Sequence, residues 1–382
     1  MRLLIPRTAA QFIHDPRKPW GRPSREALQG STSLWHTLWS ETYSNPRYAE
    51  LVPRLKDLFF APIRQRPGFP GRVEAGVWRR IRFVERRSLE WYRRTGIRLL
   101  LTPSPWQAAL FRGPVVVDLD DPTRSPSEQA ALRAPNIDHV VVTTAPIARY
   151  LEEVNPGVEV TVIPQGVDVD SAKEARHAEV RQNLLATLNL SSQTVIVGYH
   201  APVICLSTET DHQGPEFQTF YIDVLIAAVQ KLWAEDHNFL TLLVGKSSPA
   251  VRRLAQSEHR LVLNDYVERS ELFDWVGTFD VGAYPRIVDF RGRQSVKLLE
   301  YMANGAAIVA MSSSETRLVH DASTGFVAAD VGEFAARLRT LIVDRDTRRA
   351  FGDRGRALAI QHDWKTLARR YDAILADAIE RV

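Results

Sequence analysis

The sequence predicts an α/β protein made of two Rossmann-like, doubly wound parallel-sheet domains that face a cleft. Its 382 residues are too many for one small domain and enough for two, each able to bury its own core. Short runs of branched apolar residues alternate with amphipathic stretches, the order demanded by parallel sheets covered on both faces. The alternation lapses in a polar stretch ending near Ser192 and then restarts, which divides the chain into domains at 1–180 and 190–360, with 361–382 as a closing helix.

In chain order, residues 2–5 (RLLI) read as a first strand, followed by a Pro- and Arg-rich loop to about Ser24. Residues 97–102 (IRLLLT), 114–119 (PVVVDL) and 139–144 (HVVVTT) are short and branched, as buried strands are. A helix is expected over 146–154, and VEVTVIPQGVDVD gives a strand running into a turn. In the second run, TVIVGYH, FLTLLVGK, RLVLNDYV, DVGAYP and AAIVAM read as strands. Helices fall between them in FYIDVLIAAVQKLWAED, near 249–257, in SELFDWVGTF, in SVKLLEYMANG and from about Val331, and two amphipathic helices close the chain near 346–360 and 363–380. In open parallel sheets ligands sit at the carboxyl ends of the strands, so the loops there are the ones to search.

The most informative of them lies in residues 280–310, DVGAYPRIVDFRGRQSVKLLEYMANGAAIVA. A strand ends at Tyr284, a loop with Arg286, Arg291 and Arg293 follows, and Ser295 is placed to cap a helix that stops at Asn304–Gly305. Free amides around Gln294, Ser295 and Val296 would form an anion site, strengthened by the helix dipole. Lys297 can reach a phosphate there, and Glu300, on the same face, can accept hydrogen bonds from vicinal ribose hydroxyls. The constellation suits a nucleoside diphosphate. The same residues also serve a plain surface helix, with Ser295 as cap and Lys297 and Glu300 as a local pair.

Composition narrows the class. With Cys205 as the sole cysteine, an intramolecular disulfide is excluded, as are thiolate metal clusters, and a cytoplasmic setting fits best. Neither an apolar stretch of about 18 residues nor the apolar core of a secretory leader is found. The net charge of +4 conceals a basic segment: residues 64–98 hold 11 arginines against Glu74, Glu85 and Glu90. Arginine pairs recur there every seven residues beside Trp78, Trp91 and Tyr92, a pattern suited to the anionic inner face of a membrane and equally to an ordinary surface helix. No nucleic-acid-binding motif accompanies it, so no nucleic-acid partner is expected. His200, after TVIVGYH, reads as a solvated residue or one facing a cleft, and Cys205 as buried and inert.

The succession of these motifs resembles a family. SVKLLEYMANGAAIVA, preceded by DVGAYP and followed by STGFV, is similar to the donor-binding region of retaining glycosyltransferases of family 4, which have the two-domain GT-B fold. The resemblance runs back through NDYVERSELFDWV, TLLVGK and VTTAPIARYLEE, and forward to HDWKTLARRYDAIL, where such proteins send a last helix back to the first domain; it covers roughly residues 97–382. It implies transfer of a sugar from a UDP- or GDP-sugar to a hydroxyl of a glycan, glycolipid or cell-envelope precursor. It further implies that Glu300 binds the ribose, that backbone near Gln294 and Ser295 meets the diphosphate or sugar, that Tyr266 and Val267 lie beside the base, and that Gln29-Gly30-Ser31 is the N-terminal glycine loop, opening a helix in STSLWHTLWSE.

Three departures stand out. Family members often carry a carboxylate eight positions before Glu300, where this chain has Gly292, and an Arg/Lys pair early in the second domain, which is missing here. Lys297, Lys246, Arg286, Arg291 and Arg293 are the cations left to hold a diphosphate, and Asp120 stands where a histidine is usual. Lys297, Lys246, Arg286 and Asp120 are therefore the expected catalytic groups. The Asp118-Leu119-Asp120 triplet also looks like a metal-binding DxD, but two Rossmann-like halves point to a metal-independent enzyme, and no cofactor is expected. The departures leave an alternative, a catalytically impaired nucleotide-sugar-binding partner at the membrane surface.

Overall fold

The computed structural model describes residues 37–39, 58–60 and 98–381, apart from 104, 121, 123, 210–219, 236, 266, 268–270, 288–291 and 293. The strand expected at 2–5, the basic segment up to Ile97, Gly30, Tyr266, Arg291 and Arg293 lie outside the described residues. The chain divides into two units, one of residues 1–165 with 364–382 and one of residues 166–363.

The first unit holds a sheet in the order β2-β1-β3-β4-β5-β6, formed by β1 (Thr37–Trp39), β2 (Leu58–Phe60), β3 (Leu99–Thr102), β4 (Val115–Leu119), β5 (Ile137–Val142) and β6 (Glu159–Val162). Every described pairing in it is parallel. The strand at Thr37–Trp39 corrects the helix expected in STSLWHTLWSE: its β-branched and aromatic residues suit an extended backbone flanked by neighbours on both sides. Helix α1 (Pro126–Leu132) was not expected, although Ser125-Pro126-Ser127-Glu128 is a start signal: the Ser125 hydroxyl accepts from the Glu128 N–H. Helix α2 (Ala145–Val154) follows β5 as expected.

The closing helix, here called α12 (Trp364–Glu380), belongs to this unit. It buries Trp364, Leu367, Tyr371 and Leu375 against Leu99, Leu101, Val116, Val141 and Ile163 on one face of the sheet. Within that apolar seam the Tyr371 hydroxyl donates to the fully buried carboxylate of Asp118 at 3.0 Å. The first carboxylate of the DxD triplet is thereby turned toward a structural helix. Replacing Tyr371 with Phe removes this donor from a buried acid and is expected to lower unfolding free energy by about 1–3 kcal/mol, read from denaturant titration.

The second unit begins with α3 (Val169–Glu174) and α4 (His177–Thr187), where only a polar stretch was expected. Asp168 caps α3 by accepting from the Ser171 N–H, and α4 buries little beyond Leu185, so its apolar signal is faint. Val167, Val169, Ala172 and Leu185 pack with the second sheet, which places the division at 165/166 in place of 180–190. The sheet runs β12-β11-β10-β7-β8-β9, parallel throughout its described pairings. Its strands are β7 (Val195–Ile204), β8 (Phe239–Ser247), β9 (Leu261–Asn264), β10 (Val281–Tyr284), β11 (Ala307–Met311) and β12 (Gly325–Ala328).

Helices α5 (Asp223–Ala234), α6 (Pro249–Ser257), α7 (Leu272–Val276), α8 (Val296–Asn304), α9 (Arg317–Asp321), α10 (Val331–Val343) and α11 (Arg345–Gln361) complete the unit. Apolar clusters cover both faces of the sheet, as the continuous apolar strands require. No described helix is long and apolar enough to cross a membrane.

Candidate active site

In the second sheet the chain lays β7, β8 and β9 outward in one direction and β10, β11 and β12 in the other, so its winding reverses between β7 and β10. The crevice at the carboxyl ends of such a pair is where open α/β sheets bind ligands. His200 lies at the end of the β7 core pairing, and Tyr284 and Arg286 lie at and just beyond the end of β10. The first turn of α8 carries Ser295, Val296 and Lys297.

Ser295 has the extended backbone of an N-cap, yet its side chain makes no capping bond to the helix. The helix ends where the sequence predicts, at Gly305 in the left-handed conformation with φ 75°. The helix buries Leu298, Leu299, Tyr301 and Met302, and Glu300 lies among them at 2% exposure. A carboxylate so far from water needs polar company. His200 supplies some of it: Nε2 lies 3.0 Å from Glu300 Oε2, and the imidazole meets the Tyr301 ring edge-on with centroids 5.4 Å apart. Of the two expectations for His200, a solvated residue or one facing a cleft, the solvated one fails: it is buried, at 6% exposure. Lys297, one turn earlier, places its ammonium over the rings of Tyr199 and Phe220, 5.5 and 5.7 Å from their centroids.

Arg286 is differently disposed from the expectation. Its Nη1 contacts both carboxylate oxygens of Glu315 at 2.9 and 2.7 Å, and the Tyr284 hydroxyl donates to the same carboxylate. Arg286 is 6% exposed and the Glu315 side chain fully buried, so the guanidinium charge is compensated inside the unit. Burial drives the Tyr284 phenol far above its ordinary range and keeps it a hydrogen-bond donor. Nothing in the sequence pattern singles out Glu315, which sits in the short turn ahead of α9.

Lys246 is exposed at the carboxyl end of β8, next to Gly245. There β7 bulges after His200, and a Cβ on Gly245 (φ 140°) would stand 1.8 Å from the Ala201 carbonyl oxygen. Gly245→Ala is therefore expected to cost on the order of 2–3 kcal/mol and to displace the His200 turn, seen as a lower melting temperature. Val267 is half-buried against the core behind α8, and Gln294 is half-buried ahead of Ser295. Gly292 has φ 90°, a conformation that carboxylate side chains rarely adopt. Cys205 is buried, and that burial pushes its thiol up to about 12. In the first unit, Asp120 lies at the carboxyl end of β4, 7% exposed, and accepts from the Gln165 amide at 2.5 Å.

The helix with Ser295, Lys297 and Glu300 falls within a region that matches a known family model. Residues 218–344 match the family model Glycosyl transferases group 1. The match is to the broad group and not to family 4 in particular. The chain matches no curated protein significantly. Solved structures similar to it are GT-B glycosyltransferases, and the chain has that fold with its two Rossmann-like units. A glycosyltransferase from Rickettsia africae is 12% identical at a TM-score of 0.66, with 91% of this chain and 99% of that one covered. The Anabaena protein HepE, solved with UDP and glucose, is 17% identical at 0.62, covering 89% and 99%. WaaG, a glycosyltransferase involved in lipopolysaccharide biosynthesis, is 13% identical at 0.61, with the same coverage. At these identities the likeness is one of fold. Within the group 1 region lie Lys246, Arg286, Ser295, Lys297, Glu300 and Glu315, whereas His200 and Asp120 precede it.

Proposed function

We propose that the protein is a retaining glycosyltransferase that moves a sugar from a UDP- or GDP-sugar to a hydroxyl of a glycan, glycolipid or cell-envelope precursor. The observation that carries this reading is the buried carboxylate of Glu300 at the winding reversal of the second sheet, one turn beyond a helix N-terminus, inside the group 1 region. The group 1 match and the fold shared with HepE, solved with UDP-glucose, support a nucleotide-sugar donor.

In this reading Glu300 receives the ribose hydroxyls, and the diphosphate meets the first-turn amides of α8. Charge that develops on the leaving diphosphate is stabilised by those amides and by Lys297, with Lys246 as a second cation. Arg286, neutralised by Glu315, acts by holding the start of the loop that leads to α8. Asp120 orients hydroxyls of the acceptor or transferred sugar. The same-face attack expected of a retaining enzyme needs no cofactor and no metal in this scheme, so activity should survive EDTA. A basic segment at 64–98 gives the protein a route to an anionic membrane surface on the cytoplasmic side; vesicle co-sedimentation that shows no preference for anionic lipid would remove that part.

One observation favours a second reading, a nucleotide-sugar-binding partner without turnover: at Gly292 the backbone conformation suits glycine, where related enzymes often place a carboxylate. Incubation with a panel of UDP- and GDP-sugars separates the two. Transfer or slow donor hydrolysis supports the enzyme; saturable binding with no turnover on any acceptor supports the partner.

A further inference from the structure

The geometry points to His200 as a positioning residue that fixes the Glu300 carboxylate for the ribose diol of a nucleoside diphosphate, an inference that rests on the nucleotide reading above. Two vicinal hydroxyls are gripped well only by a carboxylate whose plane is set before they arrive. A long side chain that must be ordered on binding loses affinity to that ordering, and a neighbour that orders it in advance restores it. Glu300 projects from α8 toward the end of β7, and the 3.0 Å contact from His200 Nε2 to Oε2 holds it from the strand side.

His200 is itself seated by the surrounding frame. Its ring rests edge-on against Tyr301, its backbone N–H donates to the Tyr301 hydroxyl at 3.4 Å, and that hydroxyl donates on to the Ala283 carbonyl of β10. Two glycines make room for the arrangement: a Cβ at Gly282 would lie 2.5 Å from the Tyr301 ring, and one at Gly198 would lie 2.1 Å from Phe279, whose ring packs beside Tyr301. The bulge that follows His200 interrupts the pairing of β7 with β8, which resumes in a shifted register at Val203. Bulges re-aim side chains at such places. The imidazole is thus delivered by the sheet, while the carboxylate is delivered by the helix.

The amides of Gln and Asn distinguish positioning from packing, because a Gln amide reaches about as far as imidazole Nε2 and an Asn amide only as far as Nδ1. UDP, GDP and ADP are screened by calorimetry on the wild-type chain, and the tightest binder is then compared with its 2′-deoxy form on His200→Gln, His200→Asn and Glu300→Gln. His200→Asn is expected to weaken the ribose nucleotide by about tenfold, as the carboxylate must then be ordered on binding, and to shrink its advantage over the 2′-deoxy form. His200→Gln should stay within about threefold of wild type and keep that advantage.

Equal losses in both His200 variants with undiminished 2′-hydroxyl discrimination would overturn the proposal, as packing damage alone does this. Wild-type behaviour of His200→Asn beside a weakened Glu300→Gln overturns it as well. If Glu300→Gln also binds like wild type, the fault lies with the nucleotide reading itself. Melting temperatures without ligand show that each variant is folded, and should Asn fail, the Gln variant must still show wild-type discrimination.

Discussion

Glu300→Ala is expected to weaken binding of the nucleoside diphosphate by about 10- to 100-fold, the loss from removing a charged acceptor of two ligand hydroxyls. Calorimetry on the folded variant measures it directly. The expectation follows from placement: a carboxylate at 2% exposure inside the unit is costly to keep, and His200 offsets part of that cost. A surface pair of Lys297 with Glu300 predicts another result, since an exposed ion pair is worth about 0–1 kcal/mol and its loss leaves ligand affinity unchanged. The test therefore separates the two meanings that the sequence left open for the same residues.

The second large effect belongs to Glu315. Changing it to Gln breaks a buried ion pair from one side, leaves Arg286 charged in a dry setting and weakens the bond from Tyr284. Such changes cost about 3–5 kcal/mol. For a unit of this size that lowers the melting temperature of its transition by roughly 10 °C. Arg286→Met combined with Glu315→Leu should recover much of the loss, because replacing both charges avoids the unpaired one. Donor affinity should fall in the single variant too, since Tyr284 and Arg286 stand at the start of the loop that leads to α8. The catalytic assignment of Arg286 made from sequence thus becomes one of support, a difference that only the partner's identity could reveal.

What could be read in the sequence follows physical lines. The central strands β3, β4, β5, β7, β8, β10 and β11 are buried on both faces and announce themselves as unbroken branched apolar runs. Helix α8 announced both of its ends, Ser295 by side-chain type and Gly305 by the left-handed turn it permits. Helices α3 and α4 escaped notice because α4 presents almost no apolar stripe, and their membership of the second unit follows from long-range packing that no local pattern encodes. Strand β12, GFVA, is not among the strands the sequence announces, because Gly325 opens it; there a Cβ would collide with the Ile308 carbonyl of β11, so the glycine serves close strand approach.

The site divides in the same way. Ser295, Lys297 and Glu300 share one helix and could be placed from spacing alone. His200 and Glu315 meet their partners across the fold, Arg286 and Glu315 at a separation of 29 residues, and a single sequence gives no rule for such pairings. The cation count was legible, but which cations are already compensated was not. Lysine scarcity, with seven among 49 basic residues, pointed to Lys246 and Lys297, and the structure leaves Lys246 exposed at the strand end and Lys297 beside Tyr199 and Phe220 at the candidate site.

The central claim is that the second unit binds a nucleoside diphosphate at the N-terminal half of α8. A crystal structure of the protein with whichever of UDP, GDP or ADP binds most tightly tests it most directly. The claim predicts the ribose hydroxyls on the Glu300 carboxylate and the diphosphate over the amides of Ser295 and Val296 with Lys297 beside it. A nucleotide bound elsewhere, or a ribose that does not touch Glu300, would contradict it.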